Sequence, residues 1–429
     1  MTPETSEVTA DLMRRLDDLL SADDHERDTR YPGPMRSRQP VHTVYVPGDR
    51  YHAATVAEWR SAALECLDEY GPIDAHVPRR SQLPAGDLDA KVRAKLSREP
   101  IEDLRIDFED GYGNRADSEE DEHVVAAAIS LSDSIAEGTV PVAIGLRVKS
   151  LEGPTRRRAV RTLQLFLSTL LTAADPAVAS PGDGLPDGFR ITLPKATSVA
   201  QVVAMTQICA QLEVDHRLRQ RRLRFEIQVE TPQAILSSDG TTLLSRMIQA
   251  SDGRCIGLHY GTYDYSASVG IAAAFQSMDH PAADYAKAVM QVAAAGTGVP
   301  LSDGSTNILP IGEAADVHAG WQLHARLVRR SLERGFYQGW DLHPAQLPTR
   351  FAATFAFYRD SMPAAVARLQ RYRSRSAGGI IDEPATAQAL AGYLCRGLDC
   401  AAISEDDIAA LLEETAPLDR SVLEGLARR

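Results

Sequence analysis

The sequence predicts an α/β protein built as a (β/α)₈ TIM barrel with a helical C-terminal extension. Short apolar, β-branched runs alternate with helix-like stretches through residues 41–350, and the runs end repeatedly on charged side chains. The spacing of these ends supports the prediction, because one βα unit needs about 30 residues plus its loops. Five successive run ends lie about 35–50 residues apart, near residues 109, 147, 195, 230 and 264.

An open, doubly wound sheet is the alternative architecture. Sheets of that kind that bind dinucleotides carry the pattern Gly-x-Gly-x-x-Gly directly after a strand. No such pattern follows a predicted strand here, and the barrel is therefore preferred.

Three parts are predicted along the chain. Residues 1–40 form a peripheral segment, with a short amphipathic helix at residues 11–20 and no regular structure at residues 21–40 because of Tyr31-Pro32-Gly33-Pro34. Residues 41–350 form the catalytic barrel. Residues 351–429 form the extension, with helices at residues 351–373, 384–397 and 404–413.

Within the barrel, eight strands alternate with helices whose apolar residues recur at helical spacing. The predicted strands are residues 41–46, 104–109, 140–148, 189–195, 224–230, 255–261, 299–303 and 338–343, with residues 308–311 as a competitor for the seventh. The predicted helices are residues 53–70, 118–136, 155–174, 199–212, 234–249, 281–295 and 315–334.

The second strand shows how polar residues enter the barrel. Side chains alternate across a strand, so Ile106 and Phe108 share one face while Arg105, Asp107 and Glu109 share the other. Because other strands also end on charged residues, we expect this polar face to point into the mouth of the barrel.

Composition excludes several classes of protein. The net charge is 46 − 59 = −13, which argues against a general binder of nucleic acid or of anionic membranes. Five scattered cysteines without a Cys-x-x-Cys pair fit a reducing compartment. The polar start of the sequence has no secretory h-region, and no stretch reaches the roughly 18 apolar residues of a membrane span. A cytoplasmic protein without nucleic-acid or membrane partners is therefore expected.

Charged side chains at strand ends are the candidate site, because barrels of this kind build active sites at the carboxyl ends of their strands. Any one such residue is more often a cap or a loop acid, but a convergent set of both signs is harder to explain that way. The candidates are Asp107, Glu109, Arg147, Lys195, Glu230, Asp264 and His343.

Two of these acids are candidate metal ligands. Glu230 and Asp264 would lie on neighbouring strands, where they repel each other unless a proton or a cation lies between them. Mg²⁺, with Mn²⁺ as the alternative, is typically held by one or two carboxylates plus water and substrate oxygens. Arg147 supplies the planar fork that pairs bidentately with a substrate carboxylate.

The roles of Lys195 and two histidines stay open at this point. Lys195 serves either as a positive charge or, if desolvated, as a Schiff-base nucleophile, and the surrounding acids favour the first role. His259 and His343 serve either as an acid or base or as hydrogen-bonded wall residues.

Eight motifs, taken in order, resemble the citrate lyase β-subunit-like branch of the HpcH/HpaI aldolase superfamily, which is related to malate synthases. The resemblance covers roughly residues 41–390. The motifs are Val44-Tyr45-Val46-Pro47-Gly48-Asp49-Arg50, Ile106-Asp107-Phe108-Glu109-Asp110, Leu146-Arg147-Val148, Leu193-Pro194-Lys195, Glu230-Thr231, Gly261-Thr262-Tyr263-Asp264, Trp340-Asp341-Leu342-His343-Pro344-Ala345-Gln346 and Ile381-Asp382-Glu383-Pro384.

The resemblance implies a Mg²⁺-dependent carbon–carbon lyase of the aldolase type and a homo-oligomer. Its substrate would be a small carboxylate (a 2-oxo acid or hydroxy acid) or an acyl-CoA, cleaved through a metal-stabilised enolate. Glu230 and Asp264 would hold the metal, Arg147, Lys195 and His343 would bind substrate, and Asp107 and Glu109 would complete the catalytic set with Arg147 and Lys195.

Other functions remain as alternatives. One is a malate-synthase-like Claisen condensation with thioester hydrolysis at the same metal site. Another is a non-catalytic barrel that serves as a subunit of a complex. A Schiff-base aldolase acting through Lys195 is the least favoured.

Overall fold

The computed structural model describes residues 3–35, 37–78, 87–173, 183–374, 383–412 and 417–428. Its strands are β1 (His42–Pro47), β2 (Asp103–Asp107), β3 (Ala143–Arg147), β4 (Phe189–Leu193), β5 (Phe225–Val229), β6 (Cys255–Tyr260), β7 (Leu301–Ser302) and β8 (Gly339–Asp341). Its α-helices are α1 (Pro3–Arg30), α2 (Thr55–Tyr70), α3 (Asp87–Arg98), α4 (Asp117–Glu137), α5 (Arg156–Ala173), α6 (Val199–Asp215), α7 (Pro232–Ile235), α8 (Leu244–Ala250), α9 (Thr262–Ser268), α10 (Pro281–Ala294), α11 (Ala314–Glu333), α12 (Leu347–Ser374), α13 (Pro384–Asp399), α14 (Glu405–Ala409) and α15 (Arg420–Ala427).

The strands form one parallel sheet in the order β7-β6-β5-β4-β3-β2-β1-β8. The first and last strands in that order, β7 and β8, also contact each other. Ser302 of β7 forms a parallel bridge with Gln338, just before β8, and the Trp340 amide donates to the Gly304 carbonyl at 3.2 Å. The sheet therefore closes into a barrel with helices between consecutive strands, and the predicted (β/α)₈ fold with a helical C-terminal region is confirmed.

The apolar residues of β2 to β5 pack outward against the helices. On β2, Leu104 and Ile106 are fully buried in the main apolar cluster. The same cluster contains Leu131 of α4 and Leu163 of α5, on the two helices that follow β2 and β3. The core of the protein therefore lies between the strands and the helices, as alternation along the strands requires.

The interior of the barrel is polar. Arg105 of β2 donates from Nε to Thr192 Oγ1 on β4 at 3.0 Å and from Nη2 to Glu226 Oε2 on β5 at 2.6 Å. A third bond runs from Nη1 to Asp103 Oδ1 at 2.5 Å, and all four side chains are fully buried. Barrels commonly fill this space with branched apolar side chains. Here an ionic network fills it, which confirms that the polar face of the second strand points inward.

Two predictions of secondary structure are wrong, and helices α3, α9 and α15 were not predicted. Residues 21–30 were expected to be irregular but continue α1 to Arg30, and the irregular stretch begins only at the Tyr31-Pro32-Gly33-Pro34 segment. Residues 234–249 were expected to form one helix but divide into α7 and α8. The break contains Gly240 at a φ of +80°, a left-handed conformation that stops a helix.

The C-terminal region begins on the barrel itself. Helix α12 follows β8, runs across the predicted boundary at residue 350, and buries Phe351 and Phe355. Residues 381–382 of the last family-like motif lie outside the described residues. Among the helices of the described ranges, none is long and apolar enough to cross a membrane.

Candidate active site

Six of the seven predicted site residues gather at the carboxyl ends of the strands. Asp107 and Arg147 are the last residues of β2 and β3, and Glu109 lies two residues beyond β2. Lys195 follows β4 by two residues, and Glu230 directly follows β5. Asp264 lies in the first turn of α9, after β6.

Arg147 is held in place by Asp107. Its Nε and Nη2 donate to the two oxygens of Asp107 at 2.7 and 2.6 Å, the bidentate geometry that suits a guanidinium and a carboxylate. Backbone amides of Glu109 and Gly111 donate to the same carboxylate at 3.0 and 2.9 Å. Burial alone would lower the pKa of Arg147, but the charge of Asp107 raises it well above its usual range. Arg147 therefore stays charged, and its Nη1 lies 3.3 Å from Glu109 Oε2.

Two aromatic residues that were not predicted as site residues cover the Arg147 guanidinium. The Tyr45 ring centroid lies 4.6 Å from Arg147 Cζ and the Trp340 centroid 5.9 Å from it, distances typical of cation–π contacts. Tyr45 Oη and Trp340 Nε1 are buried, and neither has a hydrogen-bond partner in the described part of the chain. The sequence contained one sign of this position for Tyr45, which shares the inward face of β1 with Thr43. An aromatic residue on a strand, however, usually belongs to the hydrophobic core.

Lys195 is surrounded by acids. Its Nζ forms a short contact with Glu109 Oε1, donates to Asp110 Oδ2 at 2.8 Å and lies 3.7 Å from Asp264 Oδ2. Burial would lower the pKa of the ammonium, but the charges of Glu109 and Glu230 raise it overall. The predicted role as a positive charge agrees with these contacts. Asp110 was not selected from the sequence, because an acid at the start of a loop is usually solvated.

Glu230 is a buried carboxyl with an incompletely balanced charge. Its Oε1 accepts a 2.7 Å hydrogen bond from the Lys195 backbone amide. Burial, followed by the negative charge of Glu109, raises the pKa of Glu230 to about 8. Asp264 adds to this rise and Lys195 opposes it. Gly261 gives the carboxyl its room, since a Cβ there would lie 2.5 Å from both Cβ and Oε2 of Glu230.

The site opens to solvent on one side. The Asp264 side chain is 42% exposed and the Lys195 side chain 25%, whereas Glu230 and Arg147 are buried. Burial raises the pKa of Asp264, Asp110 adds to the rise and Lys195 opposes it. Arg147 and Glu230 therefore form the floor of the site, and Asp264 forms its open edge.

The acids outnumber the bases here by three, since five carboxyl groups face two cations. The five acids are Asp107, Glu109, Asp110, Glu230 and Asp264, and the two cations are Arg147 and Lys195.

This imbalance fits a hard divalent cation at Glu230 and Asp264, whose pKa values are both raised in its absence. Within the described residues, no group of three or more His, Cys, Asp and Glu side chains converges as a complete metal cage. Two carboxylates with water and substrate oxygens are nevertheless a usual Mg²⁺ environment.

The histidines lie apart from this cluster. His343 follows β8, and its Nδ1 accepts a hydrogen bond from the Ala345 amide at 3.2 Å. Burial lowers the pKa of His343. His259 lies inside the barrel, with Nε2 3.1 Å from Glu226. The structure therefore gives both residues hydrogen-bonded positions in the wall, and a substrate-binding role for His343 stays a prediction.

Comparisons with known proteins agree with the fold. The model of a family described as "Domain of unknown function (DUF6986)" matches residues 20–429. A comparison with curated proteins found no match. A citrate lyase structure from Burkholderia xenovorans LB400 is similar with a TM-score of 0.55 and 19% identity, over 88% of this chain and 97% of that one.

Malate synthase from Haloferax volcanii is also similar. Its magnesium/glyoxylate complex has a TM-score of 0.50 and 14% identity, over 91% of this chain and 89% of that one. Its lead(II) complex has a TM-score of 0.50 and 15% identity, over 79% and 87%. At such identities the likeness is one of fold, and it confirms the barrel type that the sequence motifs resemble.

Proposed function

The chain belongs to the DUF6986 family, and we propose that it is a divalent-cation-dependent carbon–carbon lyase of the aldolase type. Its substrate would be a small 2-oxo acid, a hydroxy acid or an acyl-CoA. The observation that carries the proposal is the arrangement of Arg147, fixed by Asp107, at the same barrel mouth as Glu230 and Asp264.

Arg147 is the proposed binding group for the substrate carboxylate. Asp107 occupies Nε and Nη2, so a substrate carboxylate would bind on the Nη1 side of the guanidinium, where Glu109 Oε2 lies 3.3 Å away. Stacking against Tyr45 and Trp340 keeps this edge in one orientation. The unpartnered Tyr45 Oη and Trp340 Nε1 offer further donors to a ligand or to water.

Glu230 and Asp264 are the proposed ligands of Mg²⁺. Their raised pKa values support the proposal, because burial and then the neighbouring acids disfavour the ionised carboxylates, and a bound cation would favour them. When bound, the cation would supply a Lewis acid for the oxygen next to the bond that is cleaved.

Glu109 is the proposed acid–base group. Its Oε2 lies 3.3 Å from Arg147 Nη1, beside the place proposed for the substrate carboxylate. Burial raises the pKa of Glu109, although Arg147 and Lys195 oppose the rise. In the cleavage direction, the substrate hydroxyl proton passes to Glu109, and the O–H electron pair forms the C=O bond of the first product. The electron pair of the broken C–C bond moves to the fragment that bears the original carbonyl, which takes the proton back from Glu109 as the second product.

Lys195 is proposed to act as an ammonium rather than as a Schiff-base nucleophile. Schiff-base formation needs a neutral amine, and the acids around Lys195 raise its pKa. Borohydride treatment in the presence of a 2-oxo acid should therefore leave the mass of the protein unchanged, and a stable adduct on Lys195 would contradict this assignment.

A substrate screen tests the proposed reaction. The protein would be incubated with a panel of hydroxy acids and hydroxyacyl-CoAs, and release of a 2-oxo acid or an aldehyde would be followed by NMR. We expect EDTA to abolish turnover and Mg²⁺ to restore it. We also expect Glu230→Gln and Asp264→Asn to lower kcat by about 100-fold or more. Turnover that survives EDTA, or that survives both substitutions, would contradict the proposal.

The carboxylate site has a test of its own. Arg147→Lys should raise KM and lower kcat/KM by about 100-fold, because an ammonium cannot pair with both oxygens of Asp107 and still present a fixed N–H to the substrate carboxylate. Arg158→Lys is the matched control, since Arg158 is also buried against acids but lies on α5, where it pairs with Asp121 at 2.7 Å. Equal effects of the two substitutions would argue against a special role for Arg147.

A Claisen condensation is the second candidate. Its support is the fold likeness to malate synthase, including the magnesium/glyoxylate complex of that enzyme. The cation and carboxylate sites would be shared. Incubation with acyl-CoAs and 2-oxo acids separates the two reactions, because release of free CoA indicates condensation, whereas a 2-oxo acid or aldehyde formed from one substrate indicates cleavage.

A further inference from the structure

Lys195 contacts both proposed cation ligands. Its backbone amide donates to Glu230 Oε1 at 2.7 Å, and its side-chain Nζ lies 3.7 Å from Asp264 Oδ2. One residue therefore spans the two carboxylates between which the divalent cation would lie. Its ammonium is the positive charge nearest to Asp264 among the ion pairs of the described residues.

The backbone of Lys195 is in an uncommon conformation. Its φ is +49°, in the left-handed region that glycine adopts at little cost and that other residues rarely occupy. Such conformations cost about 1 kcal/mol or more and concentrate at functional sites. A glycine would relieve the backbone, but it would also remove the side chain that pairs with Glu109 and Asp110.

The chain around Lys195 is held on its C-terminal side. Thr231 Oγ1 donates to the Ala196 carbonyl at 2.7 Å, and the Thr197 amide donates to Gln201 Oε1 at 2.7 Å. The backbone is thus pinned, and any movement of the ammonium must come from side-chain torsions. The side chain is 25% exposed, which leaves it room on the open edge of the site.

The ammonium has two other partners that are not proposed cation ligands. Nζ contacts Glu109 and donates to Asp110 at 2.8 Å, both shorter distances than the 3.7 Å to Asp264. It can therefore leave Asp264 without losing its closest ion pairs. Both Glu109 and Asp110 belong to the loop between β2 and α4, and the Asp110 side chain also contacts Asp264.

We propose that Lys195 is a tethered cation that competes with the divalent cation for Glu230 and Asp264. Without metal, its ammonium lies beside Asp264, and metal binding moves it away from Asp264 while it keeps Glu109 and Asp110. The inference rests on the cation site of the proposed function. Because of this competition, the wild-type site would bind a divalent cation with lower affinity than the same carboxylates would without the ammonium.

Mn²⁺ binding to the purified protein, followed by electron paramagnetic resonance and by calorimetry, tests the inference without measuring activity. Lys195→Met removes the ammonium and keeps the length of the side chain, and we expect it to lower the Kd for Mn²⁺ by about tenfold. Lys195→Gln, an uncharged variant that keeps hydrogen-bonding capacity, should show the same direction of change. Lys195→Arg keeps the charge and should not bind more tightly than the wild type.

Arg221→Met is the matched control. Arg221 also combines a positive φ, +61°, with an ion pair, 2.7 Å to Asp252, but it lies in the exposed loop between α6 and β5. The substitution changes the net charge by the same amount as Lys195→Met, and we expect the Kd for Mn²⁺ to stay within twofold of the wild type.

Two results would overturn the inference. The first would leave the proposed function standing, and the second would reject it as well. An unchanged or weaker affinity in folded Lys195→Met and Lys195→Gln, with measurable binding by the wild type, rejects the competition and leaves the cation site intact. The absence of Mn²⁺ binding from both the wild type and the Lys195 variants rejects the cation site and, with it, the proposed function.

Discussion

At the scale of single residues, the site depends on close packing around Glu230. Gly261 has a φ of −99°, which any residue can adopt, so its requirement is steric rather than conformational. The added methyl of an alanine would overlap the Glu230 carboxyl, because its Cβ would lie 2.5 Å from Oε2. The position of this carboxyl therefore rests on the absence of a side chain on the neighbouring strand end.

We predict that Gly261→Ala weakens Mn²⁺ binding by about tenfold or more through displacement of Glu230. Calorimetric titration of the variant measures the change. Gly153→Ala is the control, because a Cβ at Gly153 meets nothing within 4 Å and that glycine needs no positive φ. Equal Mn²⁺ affinity in the Gly261→Ala variant and the wild type would mean that Glu230 does not bind the cation.

Glu230 also makes a pH-dependent contribution to stability. Its pKa is about 8 in the folded protein and near 4.5 when unfolded, so between these values the folded state holds a proton that the unfolded state has released. This contribution is fully present below about pH 4.5 and is lost as pH rises through 8. We predict that the metal-free protein loses free energy of unfolding through Glu230 between pH 5.5 and pH 8.

Denaturant titrations across that pH range, with and without Mg²⁺, measure this effect. Glu230→Gln should remove the part of the slope that belongs to this residue, and saturating Mg²⁺ should oppose the loss because the cation replaces the proton. The same slope in the wild type and in Glu230→Gln would show that the carboxyl is ionised throughout.

The site residues that the sequence predicted are charged, whereas those that it did not predict include aromatic residues. Arg147, Glu230 and Lys195 are charged residues at the ends of apolar runs, a pattern that a buried strand does not otherwise explain. Tyr45 and Trp340 carry aromatic side chains, which serve equally well in a core. Their contact with the Arg147 guanidinium depends on the pairing of β1 with β8, which brings together residues far apart in the chain.

At the scale of elements, strands β2 to β5 were predictable because their apolar faces pack on helices. Apolar residues therefore alternate along these strands with residues that face the barrel interior, and those of β2, β4 and β5 form the network around Arg105. The helix expected at residues 234–249 failed for a local reason, since Asp239 and Gly240 form a turn that outweighs the apolar periodicity on either side. The positions of charged residues at strand ends therefore predicted the structure better than the apolar periodicity of this helix did.

We predict that Arg105→Met lowers the free energy of unfolding by about 3–5 kcal/mol, because it leaves Asp103 and Glu226 buried without their partner. Thermal and denaturant unfolding measure the change. Combining it with Glu226→Gln should cost less than the sum of the two single changes, since the carboxylate would then carry no charge to bury.

Arg93→Met provides the comparison for this loss. Arg93 pairs with Asp89 at 2.7 Å on the partly exposed surface of α3, where an ion pair contributes about 1 kcal/mol or less. If Arg105→Met cost no more than Arg93→Met, the interior network would not stabilise the barrel.

At the scale of the whole molecule, the closed ring of strands brings together residues separated by more than 150 positions in the sequence. Glu109 and Asp264 approach the same ammonium only because β2, β4 and β6 end at one face of the barrel. The alternation of elements predicted this convergence, but the sequence had no pattern that set the distances within it. Those distances depend on loops after each strand, such as the one that carries Glu109 and Asp110.

The most direct test of the account is a crystal structure of the protein soaked with Mg²⁺ and pyruvate. We predict one divalent cation bound by Glu230 and Asp264, and the pyruvate carboxylate on the Nη1 side of Arg147. A cation bound elsewhere, or a pyruvate carboxylate that makes no contact with Arg147 while both ligands are at saturating concentration, would contradict it.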